Sequence, residues 1–104
     1  MINSVKEIEG TQGFEEEIKD GTTVVQFHAE WCQPCKALAP RFEAASNRAR
    51  SRFVRVDVDS LDADTLNKYS IQSIPRLIKF VDGEAVKDIL GRTANDILSE
   101  VESD

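Results

Sequence analysis

Two cysteines three positions apart, Cys32 and Cys35, are the strongest indication of a chemical function in this sequence. They are the 2 cysteines of the chain and form a Cys-x-x-Cys pattern. A disulfide between them would close a ring of only about four residues, which the chain-entropy model values at about 2 kcal/mol. A stabilising cross-link works better across a long loop, and a cytosolic chain has little reason to keep a passive disulfide. The placement therefore favours a chemical role over a structural one.

The local position of the pair indicates which chemistry it could perform. A strand pattern ends just before Cys32 and a helical pattern begins at Pro34, so the cysteines lie at a helix N-terminus. Unpaired N–H groups and the helix dipole favour an anion there, and cysteines in that environment react as thiolates. We expect Cys32 to attack a target disulfide and Cys35, one turn in, to resolve the mixed disulfide. Lys36 would add positive charge nearby, and Pro34 would stiffen the turn.

Two other interpretations of the cysteine pair stay open at this point. Cys-x-x-Cys is also half of a structural zinc site, but the only other nitrogen or sulfur ligand of the usual kind is His28, the single histidine. Three such ligands do not complete the tetrahedron that structural zinc requires. The spacing could also arise by chance. Thiol–disulfide exchange explains the position of the pair better than either.

Length and charge limit the remaining classes of function. A chain of 104 residues fits one domain, which we assign to residues 1–104. Its net charge of −6 disfavours binding to nucleic acid or to anionic lipid. No apolar run approaches the roughly 20 residues of a membrane helix, and the first residues lack the apolar stretch of a signal peptide. We therefore expect a cytoplasmic protein with no membrane contact.

Helical and strand patterns alternate along the chain. They predict helices over Glu15–Lys19, Pro34–Arg50 and Leu61–Tyr69 and after the cap Thr93, and strands over Thr22–Ala29, Phe53–Asp59, Arg76–Val81 and Glu84–Leu90. Pro40 lies inside the long helix and should kink it. Asp82-Gly83 predicts a hairpin turn between the last two strands. Strands separated by helices need parallel crossovers, so the pattern predicts a mixed α/β sheet with helices on both faces.

The segment FHAEWCQPCK, from Phe27 to Lys36, resembles the active-site segment of thioredoxins. The similarity covers essentially the whole chain and includes Pro40 in the long helix, Ile74-Pro75 after Tyr69-x-Ile71, the Asp82-Gly83 hairpin and Gly91 before the last helix. This resemblance implies a thioredoxin fold, a five-stranded mixed β-sheet flanked by four α-helices. It also implies dithiol–disulfide exchange on protein substrates.

The resemblance further implies the surroundings of the cysteines. The Ile74–Pro75 bond would be cis and lie beside the two sulfurs, and Trp31 and Gly91 would join these two residues in an apolar groove around Cys32. No cofactor would be bound. A flavin-dependent thioredoxin reductase drawing on NADPH would supply electrons as a partner, and the protein would act as a monomer on disulfide-containing proteins.

Gln26 is the first departure from the family pattern. Thioredoxins usually carry a buried aspartate there, which is thought to help remove the proton from the resolving thiol. An amide cannot ionise, so Gln26 could satisfy a buried polar site but could not be a general base. Arg55 aligns with a lysine that neighbours the aspartate in the family. We predict that Gln26 and Arg55 face each other beneath the site, and that exchange is slower than with the acid.

Three more departures surround the cysteines. His28 replaces an aromatic residue, and it could either titrate near neutral pH or pack with a satisfied ring nitrogen. Gln33 replaces the usual glycine between the cysteines, a position that influences redox potential. Arg76 follows Pro75 where a small polar residue is common. We expect it either to lie near Cys32 and form a positive rim with Lys36, or to be a solvated charge at a strand start.

Two other functions compete with a disulfide reductase. Thioredoxin-like domains can serve as redox-independent binding subunits of larger assemblies, but such a module would not need both Cys32 and Cys35. Oxidases and isomerases of the family generally act outside the cytosol and often carry histidine before the second cysteine. Pro34 occupies that place here. The sequence therefore favours a protein disulfide reductase.

Overall fold

Strands and helices alternate along the computed structural model, which describes residues 5–103. The strands are β1 Lys6–Ile8, β2 Thr22–His28, β3 Arg52–Asp57, β4 Arg76–Val81 and β5 Glu84–Ile89. The helices are α1 Gly10–Ile18, α2 Gln33–Ser46, α3 Ala63–Lys68 and α4 Ala94–Glu102, with a 3₁₀ turn over Val58–Ser60. Over the described range, no helix has the length and apolar character that crossing a membrane would require.

The five strands form one mixed sheet in the order β1-β3-β2-β4-β5. Strands β1, β3 and β2 are parallel, whereas β4 is antiparallel to both β2 and β5. The β-branched residues of β2 suit its central place, and six of its seven residues are buried. Because β2 runs directly toward the cysteines, the best-packed strand supports the site. The observed sheet and its four helices confirm the thioredoxin fold predicted above.

Hydrophobic side chains pack on both faces of the sheet. On one face, Phe14 of α1 contacts Phe27 and Phe80 edge-on at centroid distances of 5.7 Å. On the other face, Phe42 of α2 packs against Phe53 at 4.8 Å. Both cores hold the strands in register, and the second also fixes α2, whose first turn carries the cysteines.

Several boundaries differ from the sequence prediction. The pattern missed β1, because a three-residue strand with one buried side chain has no visible alternation. Strand β3 ends at Asp57, whose carboxylate accepts the N–H of Asp59 and begins the 3₁₀ turn. Helix α2 ends at Ser46 because the N–H groups of residues 48 and 49 bond three residues back. Helix α3 begins after its cap, Asp62.

Other local signals are confirmed. Asp82 and Gly83 have φ values of 50° and 88°, as a tight hairpin with the twist of the flanking strands requires. Thr93 caps α4, with its hydroxyl accepting the N–H of Asp96 at 3.1 Å. Pro40 lies inside α2. These features depend on neighbouring residues, so the local pattern was sufficient to predict them.

Candidate active site

A disulfide joins Cys32 and Cys35 at the start of α2. Cys32 is the N-cap residue, and its Sγ accepts the N–H of Cys35 at 3.2 Å. Cys32 retains 4% of its surface and Cys35 retains none, so Cys32 is the outer sulfur. Gln33 and Pro34 between them form the exposed first turn. In the reduced form, the same N–H would stabilise a thiolate on Cys32.

The chain beside the disulfide contains the cis Ile74–Pro75 bond that the family resemblance implied. Ile74 packs against the small cluster of Ala29, Cys32 and Cys35. Because the loop lies against both cysteines, the backbone around Pro75 is close to the reacting sulfurs. It is placed to contact whatever approaches Cys32.

Trp31 and Ile74 line an apolar hollow next to the disulfide. The hollow has a volume of about 370 Å³, and its other lining residues are Val58, Leu66, Ile71, Gln72 and Ser73. Trp31 is 67% exposed, and its indole N–H donates to Asp59 at 3.0 Å, which orients the ring. The structure thus brings together two of the four residues expected in the groove.

Pro75 lines a second groove, also of about 370 Å³. Its other lining residues are Pro34, Ala37, Leu38, Arg41 and Arg92. The apolar surface near Cys32 is therefore divided into two concavities instead of one. The two arginines of the second groove were not identified from the sequence, because their positions converge only when α2 and the loop before α4 pack together.

Gly91 lines neither concavity, so its expected place in the groove needs correction. A Cβ at Gly91 would lie 2.6 Å from the Cβ of Asp96, which leaves no room for a side chain. Its N–H donates to Glu100 at 2.7 Å, and the N–H of Leu90 donates to the same carboxylate at 2.9 Å. Close packing against α4 therefore accounts for the glycine.

A row of polar side chains crosses three strands beneath the cysteines. Glu7, Arg55 and Gln26 are register partners on β1, β3 and β2. The Arg55 guanidinium donates to Gln26 Oε1 at 3.1 Å, and Gln26 Nε2 donates to the carbonyl of Cys35 at 3.2 Å. This confirms the predicted contact between Gln26 and Arg55. Gln26 is fully buried, so its amide satisfies a polar site that otherwise would be costly.

Glu7 completes this row, and sequence reasoning missed it. One carboxylate oxygen lies 3.5 Å from Arg55, and the other lies 2.8 Å from Nε2 of His28. His28 is buried and one of its ring nitrogens has a partner, which agrees with the packing interpretation of this residue. No sequence signal pointed to Glu7, because its strand was not recognisable.

Glu7 also lines a cavity of about 550 Å³. The other polar or charged residues that line it are Glu9, His28, Glu30, Lys36, Arg55, Asp57 and Ser60. Positive and negative groups are mixed there. Nowhere in residues 5–103 do three His, Cys, Asp or Glu side chains form a metal-binding group.

Arg76 does not form the predicted positive rim with Lys36. Its guanidinium pairs with Asp88 at 2.9 Å and donates to the carbonyl of Ser70 at 2.7 Å. Asp88 is the register partner of Ile78, which makes it a diagonal neighbour of Arg76 across the β4–β5 hairpin. Lys36 instead lines the 550 Å³ cavity. The hairpin register therefore decides the partner of Arg76.

Comparison with known proteins agrees with this geometry. The family model described as thioredoxin matches residues 4–103. A thioredoxin of Staphylococcus aureus is 38% identical over 90 residues, covering 85% of this chain and 86% of the relative. The crystal structure of a reduced thioredoxin pre-protein of Schistosoma mansoni is 33% identical with a TM-score of 0.77, covering 95% of this chain and 96% of that one.

The solution structure of an oxidised thioredoxin of Plasmodium falciparum is also similar. It is 31% identical with a TM-score of 0.80, and the match covers 95% of this chain and 96% of that one. The sequence and the fold of this chain match those of thioredoxins along nearly its whole length. The chain also has a disulfide between Cys32 and Cys35. The protein is thus a thiol–disulfide oxidoreductase and belongs to the thioredoxin family.

Proposed function

We propose that this protein reduces disulfides in target proteins, with Cys32 as the nucleophile and Cys35 as the resolving thiol. The observation that supports these roles best is the hydrogen bond from the Cys35 N–H to Cys32 Sγ. That donor stabilises negative charge on the outer sulfur and not on the inner one. The complete burial of Cys35 also restricts access to the second sulfur.

In the first step, the Cys32 thiolate attacks one sulfur of the target disulfide. A new bond forms between Cys32 and that sulfur, and the other target sulfur leaves as a thiolate. In the second step, Cys35 loses its proton and attacks Cys32 Sγ. The Cys32–Cys35 disulfide forms, the remaining target sulfur departs, and both target thiolates take up protons from water.

Target binding would use the surface on both sides of the disulfide. Trp31 and Ile74 offer the apolar hollow, and the backbone beside Pro75 can pair with an extended target segment. Gln33 and Gly91 would act indirectly, by shaping the turn and by holding the loop before α4.

The reduced state would be restored by a thioredoxin reductase that draws on NADPH. The protein would then carry electrons from that partner to its targets as a cytoplasmic monomer without a bound cofactor. Such an exchange needs only the two cysteines as redox groups. In this role it would contribute to the redox balance of the cell.

Reduction of insulin disulfides by dithiothreitol tests the proposal. The wild type should accelerate the reaction, and both Cys32→Ser and Cys35→Ser should abolish the acceleration. A mixed disulfide trapped on Cys32 in Cys35→Ser would assign the two roles. A folded wild type that gives no acceleration would contradict the reductase function.

The alternative is a redox-independent binding subunit. The exposed Trp31 beside its hollow favours this alternative, because that surface could bind a partner without electron transfer. Double replacement of the cysteines by serine separates the two functions. A binding subunit would keep its partner in that variant, whereas a reductase would lose its activity.

A further inference from the structure

We propose that the second groove, lined by Pro34, Pro75, Arg41 and Arg92 and here termed the basic groove, selects target segments with an acidic side chain beside the disulfide. This inference rests on the proposed reductase function and specifies its substrate class. The occupant is an extended segment of a target protein that carries Asp or Glu close to the cysteine under attack.

The basic groove adjoins the reacting sulfurs through its two prolines. Pro34 stands between the cysteines in the first turn of α2, and Pro75 follows Ile74, which packs on Cys32 and Cys35. A target segment with its disulfide at Cys32 therefore passes the groove within a few residues. At about 3.3 Å per extended residue, its neighbouring side chains are within reach of this groove.

Over the described residues, the two arginines of the groove have no acidic partner, whereas three other arginines do. Arg52, Arg55 and Arg76 each pair with a carboxylate. Over residues 5–103, neither Arg41 nor Arg92 has a carboxylate oxygen within ion-pair distance. Their charges are consequently available to a ligand.

Both guanidinium groups are nevertheless held in place. Arg92 Nη1 donates to the carbonyls of Ile89 and Gly91 at 3.0 and 2.8 Å, and Arg41 Nη1 donates to the carbonyl of Arg92 at 3.4 Å. Each group uses one of its nitrogens in these bonds and keeps other N–H donors for a carboxylate. A fixed cation loses less conformational entropy on binding than a free surface side chain does.

The loop that carries Arg92 is itself anchored. Glu100 of α4 accepts the backbone N–H groups of Leu90 and Gly91, and the close approach of Gly91 to Asp96 removes free space beneath the loop. Packing against α4 therefore fixes the backbone from which the Arg92 side chain projects. This makes the basic groove a preorganised surface.

Charge complementarity identifies the ligand chemistry. A protein with net charge −6 repels acidic segments over most of its surface, so binding them requires a local reversal of sign. Two unpaired guanidinium groups provide that reversal next to the disulfide. A carboxylate matches their planar arrangement of donors better than any neutral group does.

Three disulfide peptides that differ only in the residues flanking cystine test the inference. The flanks are Glu, Gln or Lys, and the measured quantity is the second-order rate constant of reduction. At about 0.01 M salt, we expect the Glu peptide to react about tenfold faster than the Lys peptide, and at about 0.5 M salt the ratio should approach one. Equal rates for all three peptides at low salt would overturn the inference and leave the reductase function intact.

Variants then assign the preference to the groove. Joint replacement Arg41→Gln and Arg92→Gln should reduce the Glu-to-Lys ratio to about twofold or less, whereas Arg92→Lys alone should keep part of it, because lysine retains the charge but not the planar donors. Arg48→Gln is the matched control, because Arg48 lies C-terminal to Arg41 and binds Asn95. If the Glu-to-Lys ratio fell equally in Arg48→Gln, the preference would come from the overall charge of the protein and not from the basic groove, and the inference would be wrong.

Binding without turnover distinguishes failure of the inference from failure of the proposed function. The same peptides, with serine in place of cysteine, can be titrated against the oxidised protein with Trp31 fluorescence as the signal. Tighter binding of the Glu peptide than of the Lys peptide supports the inference even if no peptide is reduced. Equal affinities, including undetectable binding of both, contradict it.

Discussion

Gln26 shows how a single departure from the family pattern alters the polar interior beneath the cysteines. Its amide joins the Arg55 guanidinium to the Cys35 carbonyl, and it satisfies both groups without carrying charge. The acidic group of the row is Glu7, whose residue is exposed at the sheet edge. The network therefore supports the site structurally, while the position directly below Cys35 holds no general base.

Restoring an acid at this position should accelerate the resolving step. In Gln26→Asp, a carboxylate could accept the Cys35 proton, and we expect release of the second target thiol to quicken by up to about a hundredfold. Stopped-flow single turnover of a preformed mixed disulfide measures this rate. Gln26→Asn is the control, since the asparagine side chain has the same length as aspartate but no charge. Equal rates in the two variants would disprove the explanation.

Gly91 and Gly13 differ in the space available for a side chain, which allows a paired test of the packing around Gly91. Gly91→Ala would push a methyl group to 2.6 Å from Asp96 Cβ, so we expect the free energy of unfolding to fall by about 1–3 kcal/mol. Gly13→Ala meets only an ordinary contact at 3.5 Å inside α1, and should stabilise by about 0.5–1 kcal/mol. Urea denaturation measures both, and a loss at Gly13 as large as at Gly91 would refute this explanation.

Capping side chains set where several helices begin. The Asp62 side chain accepts the Thr65 N–H at 2.8 Å and so begins α3. Hydrogen bonds from the side chain and backbone of Thr65 hold the pKa of Asp62 below its ordinary value of 3.8. Because the carboxylate is favoured by the folded state, its contribution to stability is present above that value and is lost as the pH falls through the folded pKa.

Asp62→Asn should remove this pH dependence while keeping a capping oxygen. We expect the wild type to be more stable than the variant at about pH 6, and the difference to shrink between about pH 4 and pH 2. Thermal unfolding across this range measures the effect. A difference that stays constant with pH would show that the charge of Asp62 does not contribute.

Element length explains which elements the sequence pattern could predict. The seven residues of β2 and the fourteen of α2 repeat their patterns often enough to be recognised. Strand β1 has three residues and forms because β3 offers a parallel partner. Its recognition therefore depends on the sheet and not on its own residues.

The whole molecule places the site on a sheet that is packed on both faces. Phe14 lies at the centre of one core, in edge-on contact with Phe27, Tyr69 and Phe80. The other core joins α2 and α4 to the sheet through Phe42 and its neighbours. The disulfide, which follows β2 at the start of α2, is thus supported by packing on both faces of the sheet. The exposed groove residues extend from these packed elements.

Removal of the central ring should destabilise the entire domain. Phe14 is fully buried, so we expect Phe14→Ala to lower the free energy of unfolding by about 3–5 kcal/mol. Leu90→Ala is the control at a side chain that is 76% exposed, and its effect should stay within about 0.5 kcal/mol. Urea denaturation measures the free energy of unfolding of both variants. Similar losses in Phe14→Ala and Leu90→Ala would contradict the packing described here.

The redox cysteine pair, its place at a helix start, the hairpin at Asp82-Gly83 and the cap at Thr93 could all be predicted from the amino-acid sequence. Each of these depends on residues within a few positions of one another, whose local chemistry is sufficient. The folded structure was needed to show that Glu7 contacts His28, that Arg76 pairs with Asp88, and that two arginines share the basic groove. Those contacts join distant segments, and strand register and helix packing determine which side chains meet.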